Sequence, residues 1–501
     1  MSSRYVPERN IPSNIRVYFP LDPNQGYSWS QDEMNSESQS LYFYNAIGKT
    51  MVDMMVRRVV GEGLTPMCSP ENELLDWSPE RLDKFKKQSE AFWRLTTGTP
   101  EFDYYGKDNF MDLQKICVKM ILNDGDTLPH WGFRKLRNGK VVPFVQLISA
   151  KAVKSPDGID NKKITGGVEL DEATGKEVAY YLTVIDFNRN ETSQRKRVSR
   201  KTSKGRLEYD LIQLQKSDAS MVRGIPLLMS VRDVIKDVVS YMKNHVLQSA
   251  TQTMFTLFIE RALDAPESTS TFAEKMAQSG AVINEDELGS PVFTLGAGNV
   301  ITLEDGEHAN PVQRQAMGDD FNSYMKATIG LIASSLGMSY EVAMSTYDAS
   351  FSASRASINA TDINFSIMRR EFSEKFCTPT WKQVTEYGIL SGEIECPEWE
   401  SLSAIQRKAL MGVTWTGVKS PQVDPTKEVK AYIEAVNAGL CSREQAVRAL
   451  FGFDFDEVAE RIAEEKRLME SLGVTETQKE EKSQDGNNED GNNEEGDEGN
   501  E

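Results

Sequence analysis

The chain has 501 residues, and its 76 Asp and Glu outnumber its 57 Lys and Arg to give a formal net charge of −19 at pH 7. That length suits about two to four domains with a substantial core, and the charge excludes a protein that grips nucleic acid over its whole surface. No apolar run approaches the roughly 18 residues of a membrane span, and five scattered cysteines form neither an even disulfide framework nor a zinc-ligand pattern.

From Met1 to Gln25 there is no basic region followed by an apolar stretch, so a secretory signal is not expected and the chain reads as a cytosolic product. Pro7, Pro12, Pro20, Pro23 and Gly26 give residues 1–40 the composition of an extended arm. Helical periodicity starts near Leu41 and runs through Ile47, Met51, Met54 or Met55, and Val59 to a stop at Gly61 and Gly63. A second helix is expected from Pro79 to Leu95 with Ser78 as its cap. A third, Phe110 to Leu122, aligns Leu113, Ile116, Cys117, Met120 and Ile121 and stops at Asn123-Asp124-Gly125.

The period then becomes alternating. Thr127 to Arg134, Val141 to Ile148, Ile164 to Leu170, Glu177 to Ile185 and Leu207 to Leu214 read as strands of a small antiparallel sheet, separated by turns such as Arg137-Asn138-Gly139. The basic run Arg195, Lys196, Arg197, Arg200, Lys201, Lys204 and Arg206 has no interleaved aromatics, and a solvated hairpin tip or a contact with an acidic neighbouring subunit outweighs a phosphate contact.

Gly224-Ile225-Pro226 opens a long helix with Leu227, Val231, Val234, Val238, Tyr241 and His245 on one face, which makes His245 a core-edge histidine. A strand over Met254 to Ile259, a short helix over Thr271 to Ser279 and a hairpin of Val292 to Leu295 with Asn299 to Leu303 follow as a small α/β insert. The return helix, Val312 to Leu336, carries Met317, Phe321, Tyr324 or Met325, Thr328 and Leu331 and ends at Gly337. Two helices that bracket an insert most simply run antiparallel, with the insert at one end and the polar segment Tyr340 to Arg355 at the other. A long helix, Ala356 to Gly388, bends at Pro379, and helices follow over Thr426 to Ala438, Ser442 to Leu450 and Phe455 to Leu472. Glu476 to Glu501 holds about half of the excess negative charge and no large apolar residue, the composition of a disordered, solvating tail.

Catalytic signals are sparse. His130, His245 and His308 are the only histidines, and none stands in a recognisable motif. No phosphate-binding Gly-Lys-Ser loop occurs, Gly296-Ala297-Gly298 lacks the rest of a dinucleotide fingerprint, and adjacent carboxylates such as Asp319-Asp320 and Glu464-Glu465 point apart on helices. Neither an active site, a metal site nor a cofactor is assigned.

Several segments, in order, carry a family resemblance: Val59-Val60-Gly61-Glu62-Gly63-Leu64-Thr65-Pro66, Gly166-Gly167-Val168-Glu169-Leu170-Asp171 leading to Val178-Ala179-Tyr180-Tyr181, Arg223-Gly224-Ile225-Pro226, the run from Ile332 to Glu341, Phe351-Ser352-Ala353-Ser354-Arg355-Ala356, and Val423-Asp424-Pro425-Thr426-Lys427-Glu428 with Ala438-Gly439-Leu440. Together they span most of the chain, which resembles the lambda-type portal proteins of tailed bacteriophages. The resemblance implies an α+β portal-type fold whose parts map onto the elements above. They are an N-terminal arm (1–40), a helical and antiparallel-β wing (41–224), stem helix 1 (225–252), a small α/β clip (253–311), stem helix 2 (312–337), a tunnel loop (338–355), a long helix with the second part of the wing (356–424), a helical crown (425–475) and the disordered acidic tail (476–501).

It further implies a homo-oligomeric ring, typically of about twelve subunits, at one capsid vertex of a virion assembled in the host cytoplasm. Such a ring passes double-stranded DNA during packaging and ejection, docks terminase and head-to-tail adaptor proteins at the clip and meets the major capsid or scaffold protein, with no catalysis of its own. Ser345, Thr346, Tyr347, Ser350, Phe351, Ser352, Ser354 and Arg355 are then the DNA-facing residues. The segment here starts Ser345-Thr346-Tyr347-Asp348-Ala349-Ser350-Phe351 where many relatives have a Gly-Asp-Tyr-type start. Lys326 and Arg355 are the nearest cations for a transient phosphate contact, an intersubunit salt bridge being the alternative for Arg355. Another virion ring, such as an adaptor or baseplate component, is the competing reading, followed by a packaging ATPase or nuclease.

Overall fold

The structure is a computed structural model and describes residues 31–135, 139, 141–156, 163–185, 191–216, 218–254, 257–261, 282–285, 291–294, 307–311, 318–346, 351–417, 425–451 and 455–471. The chain divides into two units, residues 1–420 and 421–501.

Helix begins earlier than the breaker-rich N-terminus suggests. Residues 31–40 belong to α1 (Gln31–Tyr44), which buries Met34, Leu41 and Tyr42 instead of continuing an extended arm. A separate helix, α2 (Ala46–Val59), follows because Asn45 breaks the run and caps the new helix, its Oδ1 accepting from the Ile47 and Gly48 amides at 2.9 and 3.3 Å. Strand β1 (Thr65–Cys68) leads to α3 (Pro79–Thr97), which starts at the expected Ser78 cap and buries Phe85 and Trp93. In α4 (Phe110–Asp124) the buried face includes Leu113, Cys117, Val118, Ile121 and Leu122, while Ile116, expected on that face, is exposed.

The β region is two sheets rather than one. Strands β2 (Asp126–Lys135), β3 (Val141–Ser149), β4 (Ile164–Thr165), β5 (Val168–Leu170), β6 (Glu177–Ile185), β7 (Glu191–Ser199) and β8 (Ile212–Gln213) form an antiparallel triplet, order β3-β2-β8, and an antiparallel quartet, order β4-β5-β6-β7. Gly166 and Gly167, both at positive φ, turn the predicted single strand over 164–170 into the hairpin β4–β5. The basic run divides between a strand and a hairpin tip: Lys201 bridges antiparallel to Leu207, and the Thr202 N–H donates to the Arg206 carbonyl at 2.9 Å, with Lys201 and Lys204 exposed at the turn. Arg195 to Arg197 lie within β7, and Arg197 reaches across β6 to fork onto Glu169 of β5 at 2.7 and 3.1 Å.

A 3-10 turn (Leu227–Val231) precedes α5 (Arg232–Met254), so Pro226 stands before a tightened turn rather than inside an α-helix. Strand β9 (Leu257–Arg261) pairs antiparallel with β12 (Glu307–Pro311), and β10 (Val282–Glu285) pairs with β11 (Pro291–Thr294). Thus β11 takes β10 as partner. The expected partner Asn299 to Leu303, the helix Thr271 to Ser279 and the acidic tail lie outside the described residues. Helix α6 (Gly318–Ser335) returns beside α5, with ring centroids of Tyr241 and Tyr324 at 4.2 Å and of His245 and Phe321 at 4.3 Å. A later residue of α5 meets an earlier one of α6, so the pair is antiparallel. Leu228, Val231, Ile235 and Val238 pack in one core with Ile329, Ile332, Ala333 and Leu336, whereas Leu331 is exposed.

After α7 (Tyr340–Met344) and α8 (Phe351–Phe372), a π-helical turn (Ser373–Cys377) leads into α9 (Thr378–Leu390). The interruption precedes Pro379, which has no N–H to continue the ladder. Thr380 Oγ1 donates to the Phe376 carbonyl at 2.7 Å and accepts from Trp131 Nε1 at 2.8 Å. Helix α10 (Ala404–Leu410) and strand β13 (Val413–Thr416) close the unit, β13 pairing with β1 some 350 residues earlier in the chain, a pairing with no local signal. Phe110 stacks on Phe376 at 5.5 Å and Trp93 meets Trp381 at 5.4 Å, so the long helix shares the core of α3 and α4. In the second unit α11 (Pro425–Asn437), α12 (Arg443–Leu450) and α13 (Phe455–Ser471) fall within two residues of the expected helices, with Ser442 and Gln445 exchanging cap bonds at 3.1 and 3.0 Å.

One buried ion pair ties the sheets to the stalk. Arg223 donates from Nε and Nη2 to the two Asp126 oxygens at 2.7 and 3.0 Å, and its remaining donors reach the carbonyls of Ala150, Val153 and Gly166 at 3.0, 3.0 and 2.7 Å. The two side chains are 1% and 0% exposed. Replacing Arg223 by alanine leaves a carboxylate unpaired in the core and is expected to destabilise the unit by about 3–5 kcal/mol, read as a lower urea midpoint of tryptophan fluorescence. Removing the exposed Asp83–Lys87 pair (3.2 Å) by Asp83→Ala should shift that midpoint by about 0.5 kcal/mol or less. Equal shifts for the two variants would show that the buried pair has no special weight.

Candidate functional site

The base of the candidate loop is built by two helix ends. Gly337 at φ 77° ends α6, with its N–H on the Ser334 carbonyl at 3.0 Å and the Met338 N–H on that of Ala333 at 2.9 Å, a Schellman motif. Ser339 then caps α7, and Ser345 ends it in the left-handed region at φ 54°, at a cost of roughly 1 kcal/mol for a residue with a Cβ. Because α7 occupies 340–344 and α8 already starts at Phe351, helix takes most of the segment expected as loop. The run of Ala353, Ala356 and Ala360 between serines favours helix over loop.

The candidate residues therefore divide among elements. Lys326 is exposed on α6, its Nζ 5.5 Å from the centre of the Tyr340 ring. Ser345 and Thr346 are exposed directly after α7. Phe351, Ser352, Ser354 and Arg355 belong to the first turns of α8, Ser354 and Arg355 being half-buried. Tyr347 and Ser350 lie outside the described residues.

A polar stripe on α8 clamps this base. Thr361 Oγ1 accepts from the Ser339 amide at 3.1 Å, Asn364 Nδ2 donates to the Gly337 carbonyl at 3.1 Å, and the Ser357 hydroxyl donates to Glu341 Oε2 at 2.8 Å. Sequence reasoning passed over these three side chains, although their spacing of four and three residues places them on one helix face. Arg369 extends the same attachment, donating to the carbonyls of Val59 and Arg58 at the end of α2 at 2.9 and 2.6 Å. The Glu341 carboxyl is held below the usual carboxylate range, first by its own backbone N–H and then by the Ser357 hydroxyl, with Lys326 adding to the effect.

Elsewhere the titratable groups are engaged structurally. The Tyr180 hydroxyl donates to Glu177 at 2.8 Å and accepts from the Leu211 amide at 3.1 Å, while Arg200 pairs with Asp210 at 2.8 Å, and burial pushes the Glu177 and Asp210 carboxyls up. His130 stacks on Tyr209 at 4.2 Å, and burial lowers its basicity. Among the described residues no group of three or more His, Cys, Asp or Glu is arranged to hold a metal ion, and no helix is long and apolar enough to cross a membrane.

Two antiparallel helices mounted on a mixed helix-and-sheet body, with a hydroxyl-rich capped turn at their base, define a structural class of protein. The family of phage portal proteins of the lambda type, "Phage portal protein, lambda family", matches residues 20–369. The chain belongs to that family, as the motifs from Val59 to Ala356 indicate. Among solved structures it is similar to a chain in the neck of a native GTA particle computed with C12 symmetry, at 13% identity over 85% of this chain and 94% of that one with a TM-score of 0.44. A chain in the virion of a native gene transfer agent (GTA) particle gives 13% identity over 84% and 93% with a TM-score of 0.43.

The Glu341 contact has a definite pH sense. A native value below the unfolded one, about 4.3 for glutamate, means that the stabilisation is complete above that value and is lost as pH falls through the native one. Amide protection of α7 is expected to drop on acidification below about pH 4 in the native chain, and to show less pH dependence in Glu341→Gln. Parallel loss of protection in both proteins, followed by hydrogen exchange, would remove Glu341 from the clamp.

Proposed function

We propose that the chain assembles into a closed ring at one capsid vertex and serves as the conduit for double-stranded DNA during packaging and ejection, docking terminase and head-to-tail adaptor proteins at one end. Family membership supports the vertex and the virion role. The observation that carries the orientation is the antiparallel α5–α6 pair, with strands β9 and β12 continuing from one end and the α6–α7 turn at the other. Under this reading residues 253–311 are the clip that docks motor and tail proteins, 225–252 and 312–337 the stem, and 338–355 the segment lining the bore. Residues 41–224 with 356–424 are the wing and 425–475 the crown, with capsid or scaffold protein as a further partner.

The chemistry of the candidate segment suits sliding. Each cation that neutralises a phosphate adds a salt-dependent increment of affinity and slows passage of a polyanion, and the segment offers hydroxyls with only Lys326 and Arg355 as cations nearby. Electron microscopy of the purified protein under assembly conditions is expected to show rings of about twelve subunits with a central channel. Monomers or open filaments alone would overturn the conduit. Arg355→Ala is expected to form rings normally but to fill heads with DNA at least about tenfold less efficiently, equivalent to about 1.4 kcal/mol. Normal filling by that variant would remove Arg355 from the path.

A further inference from the structure

The surface of this acidic chain carries local reversals of charge, and one of them surrounds a cavity. A cavity of about 370 Å3 opens between β2, α9 and α10, and Trp131, Trp399 and Met411, all at least nine-tenths buried, give it an apolar floor. Arg206, Lys382, Arg407 and Lys408 line it as well, against the single carboxylate of Glu386. Four cations to one anion is the opposite of the overall balance of −19.

These cations are not used up within the fold. Arg407 is held in place by bonds to the carbonyls of Trp399 and Glu400 at 3.1 and 2.9 Å, which fix the guanidinium but leave its charge uncompensated. Its Cζ lies 5.1 Å from the Trp399 ring centre. The Arg206 guanidinium lies 4.5 Å over Phe133, and its Nε is a buried donor without a hydrogen-bond partner among the described residues. Lys382 and Lys408 are exposed and make no ion pair among the described residues. The buried, unmet donor calls for an acceptor, the two exposed ammonium groups favour an anionic one, and the indole and thioether floor offers apolar contact to a side chain that enters.

We propose that this cavity docks an acidic peptide segment of a partner protein, one apolar side chain entering against Trp131, Trp399 and Met411 while flanking carboxylates pair with Arg206, Lys382 and Lys408. The size suits a single large side chain with its neighbours, within the usual range of pocket volumes. An apolar anchor within a charged rim is also the usual anatomy of a short-segment docking site. The chain's own Glu476–Glu501 region has the charge but no large apolar side chain to fill the floor. A nucleic-acid strand satisfies the cations but must approach against the net negative charge of the body.

The test uses the full-length chain and calorimetric titration with eight-residue peptides, each with five Asp or Glu around one central Phe, Leu, Tyr or Trp. Controls are the same peptide with a central Ser, a peptide of residues 476–501, and a single-stranded oligonucleotide. At least one apolar-centred peptide is expected to bind saturably, about tenfold or more tighter than the Ser peptide, and about tenfold or more weaker to Lys382→Glu/Lys408→Glu. Both substitutions are at exposed positions, and an unchanged melting temperature verifies that the variant is folded. Absence of saturable binding by all apolar-centred peptides up to about 1 mM, equal binding by the Ser or 476–501 peptide, tighter binding of the oligonucleotide, or affinity untouched by charge reversal would each overturn the proposal.

Discussion

The Asp126–Arg223 pair sets the geometry on which the remainder of the 1–420 unit depends. Asp126 is the first residue of β2 and Arg223 is the last before the turn into the stalk, so one pair of side chains joins the middle strand of the three-stranded sheet to the start of α5. Its donors continue to the carbonyls of Ala150 and Val153, in the link between the two sheets, and of Gly166, in the β4–β5 turn. A buried guanidinium is tolerable only because five hydrogen bonds, two of them to a bidentate carboxylate, replace its water. That requirement fixes three backbone carbonyls and the Asp126 side chain at once.

The backbone around the pair is equally constrained. A Cβ on Gly125 would stand 2.4 Å from the Gly224 carbonyl, and one on Gly224 would stand 2.0 Å from the Gly125 oxygen, so the two glycines allow an approach that no other residue permits. The Gly224 amide completes the site by donating to Asp126 at 2.8 Å, and Gln31 of α1 donates to the Gly224 carbonyl at 3.0 Å. From this point α5 leaves the body, α6 returns against it, and the α8 stripe receives the return. The pivot and the candidate loop base are thus joined through the α5–α6 pair, whose buried residues belong to the same core as α2 and α8.

Periodicity made the helices legible because each is amphipathic over several turns, and Ser78 and Gly337 announced their boundaries through capping chemistry. Charge made β7 illegible. Its alternating pattern is hidden by Arg195, Lys196 and Arg197, while Val198 is the buried side chain among its described residues. Pairing between β1 and β13 was equally hidden, since four-residue strands hundreds of residues apart carry no local signal. The motif Arg223-Gly224-Ile225-Pro226 was visible as a family mark, but its physical content lay in Asp126, which falls between the helix stop at Gly125 and the strand expected from Thr127. Serine and threonine misled in the opposite direction. Counted as loop formers, Ser352 and Ser354 instead lie on a helix, whose Ser357 and Thr361 hold the turn beside them.

The nature of that hold bears on what can pass beside it. Exposed ion pairs weaken over a Debye length of about 8 Å at physiological ionic strength, and a concentrated line of phosphates competes for their cations. The α6–α7 turn is fixed by a threonine hydroxyl, an asparagine amide, a serine hydroxyl and a glycine C-cap, none of which offers a cation to a phosphate. Lys326 is placed over Tyr340 and near Glu341, so its charge is already partly answered within the subunit. Under the proposed conduit role, a turn held by groups that offer no cation would keep its shape as a polyanion moved past, whereas one held by surface arginines would exchange its own contacts for phosphates and lose shape and passage together.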